Sequence, residues 1–74
     1  MDWVIERISP KDESVFLVKE TTGVRRVISV PGLESAVLRE NTLLIHSNKG
    51  FYWLIDPATG SRRRFPIEKA ETRL

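Results

Sequence analysis

The chain is predicted to be all-β: two tandem antiparallel β-meander units, blade-like, of three to four short strands each, or alternatively a small β-barrel. Two observations predict it. Short apolar runs rich in β-branched and aromatic residues, such as 15–18 and 51–55, are separated by Gly, Pro, Asn and Asp turns. The sequence also matches itself when slid by 37 residues, half of its 74.

That offset places Thr22, Gly23, Arg25 and Arg26 on Thr59, Gly60, Arg62 and Arg63, and Leu17 on Leu54. Five identities fall in the 21 pairs from 12/49 to 32/69. Average residue frequencies give roughly one or two. Ile8 falls on Ile45, Val30 on Ile67 and Glu34 on Glu71. The chain is read as one domain, 1–74, with a first unit over about 1–37 and a second over about 38–74.

Residues 3–8 form the first predicted strand, followed by the loop Pro10-Lys11-Asp12-Glu13. Residues 15–19 and 24–30 form a hairpin around Thr22-Gly23, where glycine supplies a positive φ. Pro31-Gly32 is a turn. Residues 33–40 are ambiguous: Leu33, Ala36, Val37 and Glu40 fit two helical turns, whereas 36–39 fit a strand paired through a Glu40-Asn41 turn to 42–46. The strand is favoured because all around it is β. Residues 47–50 turn the chain into strand 51–55. Asp56-Pro57-Ala58-Thr59-Gly60 is a second hairpin connection, with Asp56 as an acceptor for the turn backbone. Residues 62–67 return, Pro66 marks an edge or an end, and 68–74 fray.

A chain of 74 residues buries only about 60% of the surface that unfolding exposes. It has no cysteine to staple it or to bind a metal, which leaves packing and oligomerisation as supports. Hydrophobic residues at 41% and charged residues at 30% are a globular balance. No apolar run is long enough to span a membrane, and the acidic start is unlike a signal peptide, so the expected location is cytoplasmic. The net charge of +2 is uneven: residues 1–56 carry −1 and residues 57–74 carry +3.

Half-exposed strands alternate polar and apolar residues. Val15-Phe16-Leu17-Val18 and Phe51-Tyr52-Trp53-Leu54-Ile55 do not, so each presents apolar groups on both faces of its sheet. One face lines the core. The other needs a cover, and a short chain has little to spare. A homo-oligomer is therefore expected, with Phe16, Phe51, Tyr52 and Trp53 as candidate interface residues.

Residues 36–65 resemble a β-propeller blade of the quinoprotein type: a strand, the Gly50-led aromatic strand, Asp56, and the Thr59-Gly60 turn follow in order. Residues 13–30 resemble a looser copy, with Glu20 in place of the Asp and no glycine before the aromatic run. The resemblance implies a fold type and no quinone cofactor. Two blades do not close a propeller, so it implies several chains completing a ring by symmetry.

Catalytic chemistry is poorly represented. His46 is the single histidine, near a strand end, and is read as a surface or packing residue. The ten carboxylates are scattered, with Asp12-Glu13 read as a solvated turn. No phosphate loop or metal-ligand spacing occurs, so neither cofactor nor enzyme is expected. Arg25, Arg26, Arg62, Arg63 and Arg64 are candidate nucleic-acid contacts, with nearby aromatics to stack bases. Arg62 and Arg64 share a strand face and Arg63 takes the other, so a continuous basic groove does not follow; the bland role is edge-strand protection. The leading expectation is a non-enzymatic, self-associating interaction module with an unidentified protein partner and no membrane role. The alternatives are a small nucleic-acid-binding barrel and a blade-repeat sugar binder, in which Trp53 or Tyr52 stacks on the sugar.

Overall fold

The computed structural model describes residues 2–67. Seven strands form within them: β1 (Trp3–Ser9), β2 (Ser14–Lys19), β3 (Arg25–Ser29), β4 (Leu33–Arg39), β5 (Thr42–Ser47), β6 (Phe51–Ile55) and β7 (Arg62–Pro66). They make two antiparallel meanders, sheet A in the order β1-β2-β3 and sheet B in the order β4-β5-β6-β7. Within each sheet every strand pairs with its neighbours in sequence, and among the described residues no strand pairs across the two sheets. The sheets are not closed into a barrel, so the open member of the two expected architectures is realised.

The ambiguous segment 33–40 is β4, which begins at Leu33, earlier than the expected 36–39. Pairing with β5 decides against helix, because Ala36 then faces Ile45 and Leu38 faces Leu43 across the ladder. Glu40 and Asn41 join the two strands at φ of 48° and 63°, the double left-handed geometry of a two-residue hairpin. Bulges interrupt β1 between Ile5 and Arg7 and β4 between Leu33 and Ser35. The expected fraying of 68–74 concerns residues outside the described range.

One apolar cluster lies between the sheets. Trp3, Val15, Leu17, Ile28 and Val30 enter it from the side of sheet A, and Leu33, Leu43, Ile45 and Ile55 from sheet B. Ile5, Ala36, Leu38 and Trp53 pack on its margin. β1 and β4 are where the two sheets lie nearest each other. Alternation accounts for the membership: Val15 and Leu17 point inward, so Phe16 and Val18 point out; Leu43 and Ile45 point inward, so Leu44 and His46 point out. Truncating such a buried Leu or Ile to Ala costs about 2–5 kcal/mol. That is a large share of the stability a domain this small can have.

The β2–β3 and β6–β7 hairpins share their bonding at an interval of 37 residues. The Lys19 amide donates to the Val24 carbonyl, and the Asp56 amide to the Ser61 carbonyl, each at 2.8 Å. Gly23 donates to the Lys19 carbonyl and Gly60 to the Asp56 carbonyl, each at 2.7 Å. Thr22 Oγ1 accepts from the Val24 amide, and Thr59 Oγ1 from the Ser61 amide. The two glycines sit at φ of 77° and 80°. Asp56 Oδ1 also accepts from the Ala58 amide at 2.9 Å, the turn role expected of it. The Ile8–Ile45 match does not carry into three dimensions. The β1–β2 connection is one residue longer than the β5–β6 connection, so Ile8 faces Val15 just as His46 faces Tyr52.

The sheets are tied at Pro31-Gly32. The Gly32 amide donates to Glu13 Oε2 at 2.8 Å, and its carbonyl accepts from the Asn48 amide at 2.8 Å. Ser47 Oγ donates to the Pro31 carbonyl at 2.7 Å and accepts from the Lys49 amide. Glu13, read from sequence as a solvated turn residue, also accepts the Val30 amide on its own carbonyl. Gly32 has φ +73°, and a Cβ there would displace the exposed Asn48 and Lys49 side chains and stand 3.0 Å from the buried Ser47 Oγ, which its bond to the Pro31 carbonyl holds in place. Gly23 has a similar φ and open space around it. Gly32→Ala should therefore lower the urea midpoint well beyond Gly23→Ala, which bears only a left-handed backbone cost of about 1–2 kcal/mol. Equal losses would show that the close approach at position 32 is unimportant.

Candidate functional site

The outer face of sheet B is built by every second residue of four strands. Val37 comes from β4, Leu44 and His46 from β5, Tyr52 and Leu54 from β6, and Arg63 and Phe65 from β7. Val37, Tyr52 and Phe65 are exposed large apolar residues (43%, 40% and 39%). Leu44, Tyr52, Leu54 and Phe65 together line a groove of about 360 Å³ with no charged or polar side chain apart from the tyrosine hydroxyl. At one end the His46 ring lies 5.2 Å from the Tyr52 ring, and its Nδ1 is 3.2 Å from Glu34 Oε1. At the other end the Arg63 guanidinium lies 5.5 Å from the Phe65 ring centre.

The outer face of sheet A carries Val4, Arg7, Phe16, Val18, Arg25 and Val27. Val27 is 53% exposed. Phe16 is half-buried beneath the Arg7 guanidinium, 4.1 Å from its ring centre. Arg25 closes a two-pronged pair with Glu6, Nε to Oε1 at 3.2 Å and Nη2 to Oε2 at 3.0 Å. The hydrogen bond from Arg25 holds the Glu6 carboxyl below its ordinary value of 4.5; desolvation opposes this, and Coulomb attraction to Arg25 adds to it. The same bond raises Arg25 above its already high value.

The four candidate interface aromatics are thus divided. Tyr52 lies on the outer face of sheet B and Phe16 on the outer face of sheet A. Phe51 and Trp53 are on the inward side, half-buried beneath arginines. The Arg64 guanidinium stands 4.2 Å from the Phe51 ring centre and 5.9 Å from that of Trp53, and Arg62 stands 5.5 Å from Trp53. The interface residues expected from the sequence do not include Val37, Leu44 or Leu54, and Phe65 is expected there only as a stacking surface. Their signal was the strand register, which a run such as Leu43-Leu44-Ile45 hides by being apolar at every position.

The candidate nucleic-acid residues are also dispersed. Arg25 faces out from sheet A beside Glu6, while Arg26 takes the other side, 5.9 Å from the Trp3 ring. Arg62 donates to the Ser29 carbonyl at 3.1 Å, crossing from sheet B to sheet A. Arg62 and Arg64 share a face, and Arg63 lies on the opposite one.

A second cleft of about 360 Å³ lies where the β4–β5 and β6–β7 turns meet, with Glu40, Asp56 and Arg63 among its lining residues. Among the described residues no three His, Cys, Asp or Glu side chains converge to hold a metal. No helix there is long and apolar enough to cross a membrane. Compared with family models, curated proteins and solved structures, the chain matches none.

The Glu6–Arg25 pair has a pH signature. A carboxyl with a lowered folded-state pKa contributes stability above its ordinary value and loses that contribution as pH falls through the lower one. Wild type should exceed Glu6→Gln in urea midpoint near neutrality, the gap closing in acid and shrinking in high salt because both side chains are exposed. A gap that persists in acid would assign the difference to something other than the charge pair.

Proposed function

We propose that this protein is a non-enzymatic interaction module that works by self-association, its function being assembly or the display of a protein-binding surface built from several copies. The observation that carries this reading is the outer groove of Leu44, Tyr52, Leu54 and Phe65, which leaves aromatic and aliphatic surface in water on a chain with few residues to cover it. At about 25 cal/mol per Å² of apolar surface, removing such faces from water stabilises a chain whose own core is small. The internal duplication and the likeness to propeller blades belong to the same reading. The shared hairpin bonding at an interval of 37 residues supports them. A cytoplasmic setting and an unidentified protein partner complete it.

Native mass by light scattering on a sizing column tests it. Wild type should run as a multiple of 8.5 kDa at low and at high salt alike. Tyr52→Asp, on an exposed position, should return the chain to a monomer with unchanged far-ultraviolet circular dichroism. A wild-type monomer, or a variant that keeps the wild-type mass, would sink the reading.

One observation favours a second role. Arg62 and Arg64 lie on one strand face over Trp53 and Phe51, which pairs cations with stacking surfaces. On that reading a labelled single-stranded oligonucleotide binds at low salt, weakens steeply as salt rises, and is lost in Arg62→Ala/Arg64→Ala. No binding by wild type at low salt would remove it.

A further inference from the structure

The two outer faces are not two unrelated surfaces. The hairpin pattern equates β2 with β6 and β3 with β7 at an offset of 37 residues. Val15, Leu17 and Ile28 point inward from sheet A. Their counterparts Tyr52, Leu54 and Phe65 point outward from sheet B. The converse also holds. Trp53 and Ile55 belong to the inward side of sheet B, and their counterparts Phe16 and Val18 lie on the outer side of sheet A. The strand pairing extends this to β1 and β5. Ile5 faces Leu17 as Leu44 faces Leu54, and Val4 faces Val18 as Leu43 faces Ile55.

The interface inside the chain therefore packs the front of one unit on the back of the other. The front of the second unit and the back of the first are left over. They are counterparts of surfaces that already fit each other. Resting on the self-association reading, we propose that its occupant is a second copy of this chain, packed head to tail. The outer face of sheet B in one copy covers the outer face of sheet A in the next. Like-on-like packing of either face would set two equivalent surfaces together, and the fold has no precedent for that contact. A heterologous contact of this kind closes into a ring when its rotation permits, and otherwise extends as a stack.

The correspondence reaches individual polar atoms. Arg62, at the inward margin of sheet B, donates across to the Ser29 carbonyl of sheet A. Its counterpart on the outer face of sheet A is Arg25, and the counterpart of Ser29 is Pro66, which ends β7. In the proposed contact Arg25 leaves Glu6 and donates to the Pro66 carbonyl of the neighbouring copy. The contact between copies is also weaker than the one within. Arg7 stands opposite Phe16 where Ile45 stands opposite Trp53, and His46 stands opposite Tyr52 where Ile8 stands opposite Val15.

Two variants, each blocking one face, test the arrangement. Phe16→Glu blocks sheet A and Tyr52→Asp blocks sheet B; Val27→Asp, at a 53% exposed position, replaces the first if it fails to fold. Each alone should be monomeric by sedimentation. Mixed in equal amounts they should form a one-to-one pair of about twice 8.5 kDa, because each supplies the face the other lacks. The mixture should associate at least about tenfold more tightly than either variant with itself. Arg25→Ala should weaken that pairing further. If wild type assembles but the mixture stays monomeric, or Phe16→Glu keeps the wild-type mass, head-to-tail packing is wrong while self-association stands. If wild type is a monomer, both fall.

Discussion

Everything in this fold hangs on the Pro31-Gly32 junction. Two meanders that share no backbone ladder are held face to face by the segment between them, by side-chain packing and by the hydrogen bond from Arg62 to the Ser29 carbonyl. Pro31 fixes one φ and Gly32 takes a left-handed one, so the chain leaves β3 and enters β4 without wandering. Glu13 from the first unit and Ser47 from the second then hold that short segment from either side. The position of the apolar cluster follows, because it sets which faces meet. The faces left outside follow in turn.

Arginine is the second organising element. Among the described residues, six contacts place a guanidinium over an aromatic ring, involving Arg7, Arg26, Arg62, Arg63 and Arg64. Each is worth about 0.5–1 kcal/mol at an exposed site, too little to organise a fold by itself. Their larger effect is coverage, since the aliphatic stem lies along apolar surface while the charge stays wet. Such a cover is easily displaced. Arg7 over Phe16 keeps the face of sheet A soluble without filling it, as a locked hydrophobic plug would.

The architecture was largely legible in the residues, because it is written in local chemistry: glycines where φ must be positive, Asp56 where a turn needs an acceptor, and short β-branched and aromatic runs between the turns. The β4 segment was harder, since Ala36, Leu38 and Glu40 are good helix formers and only pairing with β5 makes the strand. The surface was legible in kind and not in detail. Phe51, Tyr52 and Trp53 are adjacent in sequence and point to alternate faces, so composition alone merges surfaces that geometry separates. Leu44 and Leu54 were hidden among apolar neighbours. The bracing role of Glu13 was invisible, because it depends on a loop 19 residues away along the chain. The Ile8–Ile45 match misled because one extra loop residue shifts the register by one there, which puts Ile8 and Ile45 on opposite faces of their units.

The two bulges have a consequence for how the protein fails. An open sheet exposes unpaired backbone groups along its outermost strands, and these recruit any extended segment, the route to amyloid-like deposits. Here each of the four outermost strands carries a deterrent. β1 is kinked between Ile5 and Arg7 and β4 between Leu33 and Ser35, β3 opens with Arg25 and Arg26, and β7 bears three arginines and a proline. The ribbons are gated at their rims and permissive on their flat sides. The rims thus oppose the lengthening of a shared ladder, and a mutation that straightened β1 or β4 would remove part of that barrier and open the route to fibres.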